Sequence, residues 1–156
     1  MSQFHAAETL QSYSPPTVRQ FSVFLDNKPG KLLELLRHFE ESITVHLCAF
    51  SVQEASDHAV IRLVPNNADG ARLLLRERSL AFTEVELLVV ELVEDHSLSS
   101  MCLHLLGAEL NIRFAYPLML RPNGTPTIAL SVDDYVLAGQ ILRRKGFGLV
   151  GEAELP

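Results

Sequence analysis

The sequence predicts an α+β protein made of two consecutive β-α-β-β-α-β units, on three observations. Apolar residues switch repeatedly between the alternation of strands and the three-to-four spacing of amphipathic helices. The order strand, helix, strand, strand, helix, strand runs to about residue 93 and then begins again. No flexible linker separates the two runs, so the halves are expected to pack as one pseudo-symmetric pair.

The elements follow in order. Residues 1–18 are polar, contain Pro15-Pro16 and carry no period, which predicts a flexible N-terminal arm. Phe21, Val23 and Leu25 alternate with Gln20, Ser22 and Phe24 as in a strand. Turn chemistry at Asp26-Asn27-Lys28-Pro29-Gly30 leads into a helix with Leu32, Leu35, Leu36 and Phe39 inward. Residues 43–52 and 59–64 read as strands. Asn67 is placed to cap a helix that turns Ala71, Leu74 and Leu75 inward. Residues 82–93 read as one long strand.

The second run opens with Glu94-Asp95-His96-Ser97 and a helix turning Leu98, Met101, Cys102 and Leu105 inward. Strands at 112–120 and 127–132 are expected to form a hairpin around Asn123-Gly124. Asp133 precedes a helix with Val136, Leu137, Ile141 and Leu142 inward, and 147–150 reads as a last short strand. Spacing supports a duplication. Asp26 and Asp95, Leu32 and Met101, Leu36 and Leu105, and Ile43 and Ile112 lie 69 positions apart. The separation falls to 68 for Val60 and Ile128 and to 67 for Leu80 and Phe147. The predicted units are 19–88 and 89–156. They share the strand at 82–93, whose length of about 40 Å suffices to serve two sheets.

Composition narrows the function. The 156 residues carry 19 acids and 13 bases, a net charge of −6, which argues against a nucleic-acid partner. No apolar run approaches the roughly 20 residues of a membrane span, and the N-terminus lacks the pattern of a signal peptide. A cytoplasmic protein with no membrane partner is expected. Cys48 and Cys102 lack metal or redox spacing and are expected to be reduced and packed.

The segment Phe24-Leu25-Asp26-Asn27-Lys28-Pro29-Gly30-Lys31-Leu32, set at the first strand–helix junction of this element order, resembles the ACT domain. That small regulatory module binds amino acids. The resemblance covers residues 20–92 and implies a ferredoxin-like fold for each unit. The second half matches in element order and in Leu110-Asn111-Ile112. It departs at its own junction, where Leu98-Ser99 is aligned with Pro29-Gly30. The chain looks like a stand-alone tandem ACT protein.

The junction chemistry suits a free amino acid independently of the resemblance. A helix N-terminus offers unpaired N–H groups and positive potential to a carboxylate. Gly30 removes a Cβ from the approach, Pro29 preorganises the turn, and Asp26 and Asn27 can accept from an ammonium. Lys28 adds a possible carboxylate contact. The expected ligand-binding residues are Asp26, Asn27, Lys28, Pro29, Gly30, Lys31 and Leu32. Asn111, Ile112, Phe114 and Tyr116 are expected to complete the site from the facing unit.

No arrangement of nucleophile, base and oxyanion hole is found, so neither enzymatic activity nor a cofactor is expected. The six histidines lack paired ligand spacing, and no metal is expected. Gly146-Phe147-Gly148-Leu149-Val150-Gly151 matches a dinucleotide fingerprint in letters but follows a helix instead of a strand. The predicted function is a non-enzymatic regulatory protein binding a free amino acid. Its expected partners are that ligand and either a second copy or a metabolic enzyme. The alternative is a regulatory subunit resembling the small subunit of acetolactate synthase.

Overall fold

In the computed structural model, which describes residues 14–156, six strands and four α-helices alternate in the expected order. They are β1 (Val18–Asp26), α1 (Lys31–Glu40), β2 (Leu47–Glu54), β3 (His58–Pro65), α2 (Ala68–Glu77) and β4 (Ala81–Glu91). The second run contains α3 (Leu98–Gly107), β5 (Ile112–Pro117), β6 (Thr127–Val132) and α4 (Tyr135–Arg144). The strands form an antiparallel array in the order β2-β3-β1-β4-β6-β5. Two ferredoxin-like units account for this order.

The long strand β4 belongs to both units. Its first part pairs with β1, from Val18 opposite Leu87 to Phe24 opposite Ala81. Its last part pairs with β6, from Leu88 opposite Leu130 to Glu91 opposite Thr127. The C-terminal segment meets β4 on the edge away from β6. There Glu91 N–H donates to Gly148 O and Val150 N–H to Val89 O, whereas Leu92 N–H donates towards the β6 side, to Pro126 O.

Three cores result from side-chain alternation. Phe21, Val23 and Leu25 meet Leu35, Phe39 and Leu75 beneath α1 and α2. Leu88, Val90 and Leu130 meet Met101, Leu105 and Leu142 beneath α3 and α4. The opposite sheet faces supply the third core, with Val18, Val64, Leu87, Val89 and Ala129 packed together with Phe114 and Tyr116. Successive β4 residues thus point into different cores. The helix-free faces of the two units close on each other, and the helices lie outside.

The structure refines the repeat. Phe21–Leu63 and Leu88–Leu130 are equivalent cross-strand pairs, 67 positions apart. The caps Asn67 and Asp134 share that offset, as do the buried Leu75 and Leu142. In the first helices Leu35 and Phe39 correspond to Met101 and Leu105, an offset of 66. The expected pairing of Leu32 with Met101 is therefore out of register. Apolar residues at three-to-four spacing tolerate such a slip in sequence, but a helix buries only one face.

Other expectations shift as well. The arm read as 1–18 is described only from Ser14; there Pro15 and Val18 are already buried, Pro15 against Gly139 of α4. The strand expected from residue 43 begins at Leu47. The strand expected to reach residue 120 ends at Pro117, and Gly124 closes a turn by donating to Arg121 O. Cys48 is buried as expected, whereas Cys102 is exposed, as is Leu137. Asp134, not Asp133, caps α4. The last strand is reduced to a bridge between Val90 and Leu149. Gly146, the first glycine of the fingerprint, has φ 86° immediately after α4, and Phe147 N–H returns to Leu142 O. That is a helix C-cap, not a phosphate loop. Among the described residues no helix is long and apolar enough to cross a membrane.

Candidate functional site

Helix α1 starts differently from the other three described helices. Gly30 stands at its N-cap with φ 87° and ψ −13°, and no side chain bonds the first turn. Asn67 accepts from Gly70 N–H at the start of α2, Ser97 from Ser100 N–H at α3, and Asp134 from Leu137 N–H at α4. In α1 the first bond of helical register runs from Glu34 N–H to Gly30 O at 3.0 Å. Among the described residues, the N–H groups of Leu32 and Leu33 find no acceptor. Orphan donors of this kind, together with the helix dipole, make an anion-compatible end.

A cavity of about 280 Å³ lies beside this end. Asp26, Asn27, Lys28, Lys31 and Leu32 line it from the junction, and Val52 and Glu54 from β2. Strand register explains the approach of Glu54. Leu25 is opposite Ala59, and Ala59 is opposite Glu54, so the three share one row across β1, β3 and β2. Asn27 Nδ2 donates to Glu54 Oε1 at 3.1 Å, bracing the loop against β2. The cavity thus sets two carboxylates and two lysines next to unpaired helix N–H groups. Glu54 was missed in the sequence because it becomes part of the site only through the register of β2 on β3.

Pro29 and Gly30 shape the turn without lining this cavity. Lys28 N–H bonds Asp26 O at 2.8 Å, and Lys31 N–H approaches Lys28 O at 3.4 Å. A Cβ built on Gly30 meets nothing within 4 Å, so glycine is selected there by its positive φ and not by crowding.

Within one chain, the residues expected from the second unit are elsewhere. Asn111 and Ile112 line a shallow cavity beneath α3. The backbone of Asn111 exchanges hydrogen bonds with Asp133, pinning the start of β5 to the loop before α4. His46 and Asn66 make the same exchange in the first unit. Phe114 is stacked beneath Arg62, whose guanidinium carbon is 4.5 Å from the ring centroid. Tyr116 donates to Gln20 Oε1 at 2.6 Å, and burial pushes its phenol well above the ordinary range. Both side chains bind the two sheet faces together instead of reaching the first junction.

The second junction is closed by its own residues. When the two helices are matched by their N-caps, Ser97 stands where Gly30 stands, and His96 where Pro29 stands, in place of the expected Leu98-Ser99 equivalence. Ser97 Oγ occupies the first turn of α3. His96 packs against Phe147 with ring centroids 4.6 Å apart, and its Nε2 lies 2.9 Å from Lys145 O. Among the described residues, no group of three or more His, Cys, Asp or Glu side chains is arranged to hold a metal ion.

Two ferredoxin-like units that both pair with β4, with one open strand–helix junction, define a tandem of two small α+β domains. The family model for an ACT domain pair matches residues 16–150, and the chain belongs to that family, whose domains are regulatory and not catalytic. No curated protein sequence matches the chain. Among solved structures, protein BT0572 from Bacteroides thetaiotaomicron is similar over 90% of this chain and 96% of its own, with TM-score 0.77 and 19% identity. The ligand-free regulatory subunit of aspartate kinase from Thermus thermophilus is similar over 85% and 95% respectively, with TM-score 0.54 and 10% identity. At these identities the likeness is one of fold.

Proposed function

We propose that this chain is a non-enzymatic regulator that binds a free amino acid at the β1–α1 junction. The carrying observation is the uncapped first turn of α1 opening beside a cavity lined by Asp26, Glu54, Lys28 and Lys31. The Leu32 and Leu33 N–H groups receive the ligand carboxylate, with Lys28 or Lys31 adding charge. Asp26 and Glu54 accept from its ammonium. Binding favours one arrangement of the paired units, and that shift is passed to a partner. Each chain carries one strong site, because Ser97 caps the equivalent end of α3.

Family membership supports a regulatory role, and the similar fold of an aspartate kinase regulatory subunit is in keeping with a metabolic enzyme as partner. A thermal-shift screen of the twenty amino acids tests the reading, because a ligand specific for the folded state raises Tm as RT ln(1 + [L]/Kd). At least one amino acid is expected to raise Tm, and Asp26→Ala or Glu54→Ala to abolish the rise. Unchanged melting with all twenty at millimolar concentration argues against the junction as an amino-acid site. Capture of a large thiamine-dependent chain would instead favour the role of an acetolactate synthase small subunit.

A further inference from the structure

A separate cavity lies between α1 and the end of α2. Lys31, Leu35 and His38 recur at helical spacing along one flank of α1. Arg78 and Leu80 come from the turn that ends α2, where Ser79 takes φ 55° and Leu80 N–H returns to Leu75 O at 3.1 Å. With Leu25 and Glu34 these residues line about 110 Å³, room for a ligand of several heavy atoms. Only Leu25 and Lys31 are shared with the cavity at the β1–α1 junction. Among the described residues, His38 Nδ1 is buried without a hydrogen-bond partner, and the Arg78 guanidinium makes no ion pair. A buried polar atom left unpaired is uncommon in a folded chain.

The second unit fills the same place. Lys145 and Phe147 stand 67 positions after Arg78 and Leu80, and His104 stands 66 after His38. Phe147 is buried, with the rings of His96 and His104 centred 4.6 and 6.1 Å from its own. Leucine in place of phenylalanine leaves the first unit with space that this ring occupies in the second.

We propose that the cavity binds a short aliphatic monocarboxylate, as a site distinct from the β1–α1 junction and independent of its ligand. Charge and surface select this class. Lys31 and Arg78 against Glu34 leave one positive charge in excess, and Glu34 lies 3.9 Å from Lys31, so Arg78 is left to the ligand. Glu41 and Glu77, further along the groove, disfavour a second negative charge. The Arg78 guanidinium pairs with the carboxylate through two parallel hydrogen bonds, and His38 Nδ1–H adds a third donor. Leu25, Leu35 and Leu80 cover the alkyl chain, which an inorganic anion lacks.

The test is a titration of the full chain with butyrate at constant ionic strength, followed by amide chemical shifts. Saturable shifts centred on Leu35, His38 and Leu80 are expected, with a dissociation constant on the order of 1 mM. Arg78→Gln should raise that constant about tenfold or more, because a charge-assisted pair is lost from an exposed position where folding does not depend on it. Arg76→Gln removes the same charge from α2 outside the cavity and should leave the titration unchanged. Leu80→Phe installs the residue of the second unit and should abolish binding; should it unfold, His38→Gln is the milder change and should weaken binding. Absence of saturable shifts to about 20 mM butyrate overturns the proposal. So do shifts centred on Asn27 and Leu32, binding indifferent to Arg78→Gln, or equal binding of inorganic phosphate or butylamine.

Discussion

Replacing Gly30 with alanine isolates the backbone requirement at the start of α1. The added methyl meets no atom within 4 Å, so sterics outside the residue contribute nothing. The cost comes from holding an L-residue at φ 87°, about 1–2 kcal/mol for a left-handed conformation. Alanine also narrows the unfolded ensemble, which offsets about 0.4–1 kcal/mol. The net expectation is a loss of about 1 kcal/mol, or roughly 2–4 °C in Tm for a domain of this size. Gly107→Ala is the matched control. It also has open space, but it lies within α3 and without positive φ, so alanine should stabilise by about 0.5–1 kcal/mol. Urea titration of both variants reads the two signs directly. A Gly30→Ala protein as stable as the parent would refute the conformational argument. A loss above about 4 kcal/mol would instead reveal a clash that the open space excludes. The same variant should weaken the amino-acid thermal shift, because any relaxation of φ re-aims the Leu32 and Leu33 N–H groups.

Tyr116→Phe removes the donor to Gln20 Oε1 within the buried contact of the two units, and should cost about 1–3 kcal/mol in urea titration. Hydrogen bonding to Arg72 holds the Glu84 carboxyl below its ordinary value of 4.5. Because the folded-state value is the lower one, this stabilisation is present above pH 4.5 and is lost as the pH falls below it. The stability difference between the parent and Glu84→Gln, followed by urea titration at each pH, should therefore shrink on acidification; a constant difference refutes it. Cys48 is buried with its thiol pushed up to about 11 by desolvation, so it should react with a disulfide reagent only on unfolding, whereas Cys102 reacts in the dilute native protein.

Much of the fold was legible because each unit writes its periods plainly. Phe21, Val23 and Leu25 alternate, Leu35 and Phe39 recur at helical spacing, and Asn67 caps the helix it precedes. The β1–α1 junction was equally readable, since turn residues act on their immediate neighbours. Local signals did not set register. The repeat read as 69 positions drifting to 67 becomes 67 for the matched strand pairs and caps and 66 for the buried residues of α1 and α3, because only tertiary packing decides which of several adjacent leucines faces inward.

The sequence by itself determined two β-α-β-β-α-β units, a common strand between them and one glycine-opened junction. Tertiary structure decided what those elements meet. Strand pairing carries Glu54 to the junction from 24 positions beyond Gly30. Closure of the helix-free sheet faces takes Phe114 and Tyr116 to Arg62 and Gln20. Packing also leaves half of an apolar helix uncovered at Leu98, Leu103 and Leu106. The division has a physical cause. Backbone propensity and turn chemistry act over a few residues, whereas side-chain partners depend on strand register and on which faces pack, and those are fixed by contacts among residues far apart in the chain.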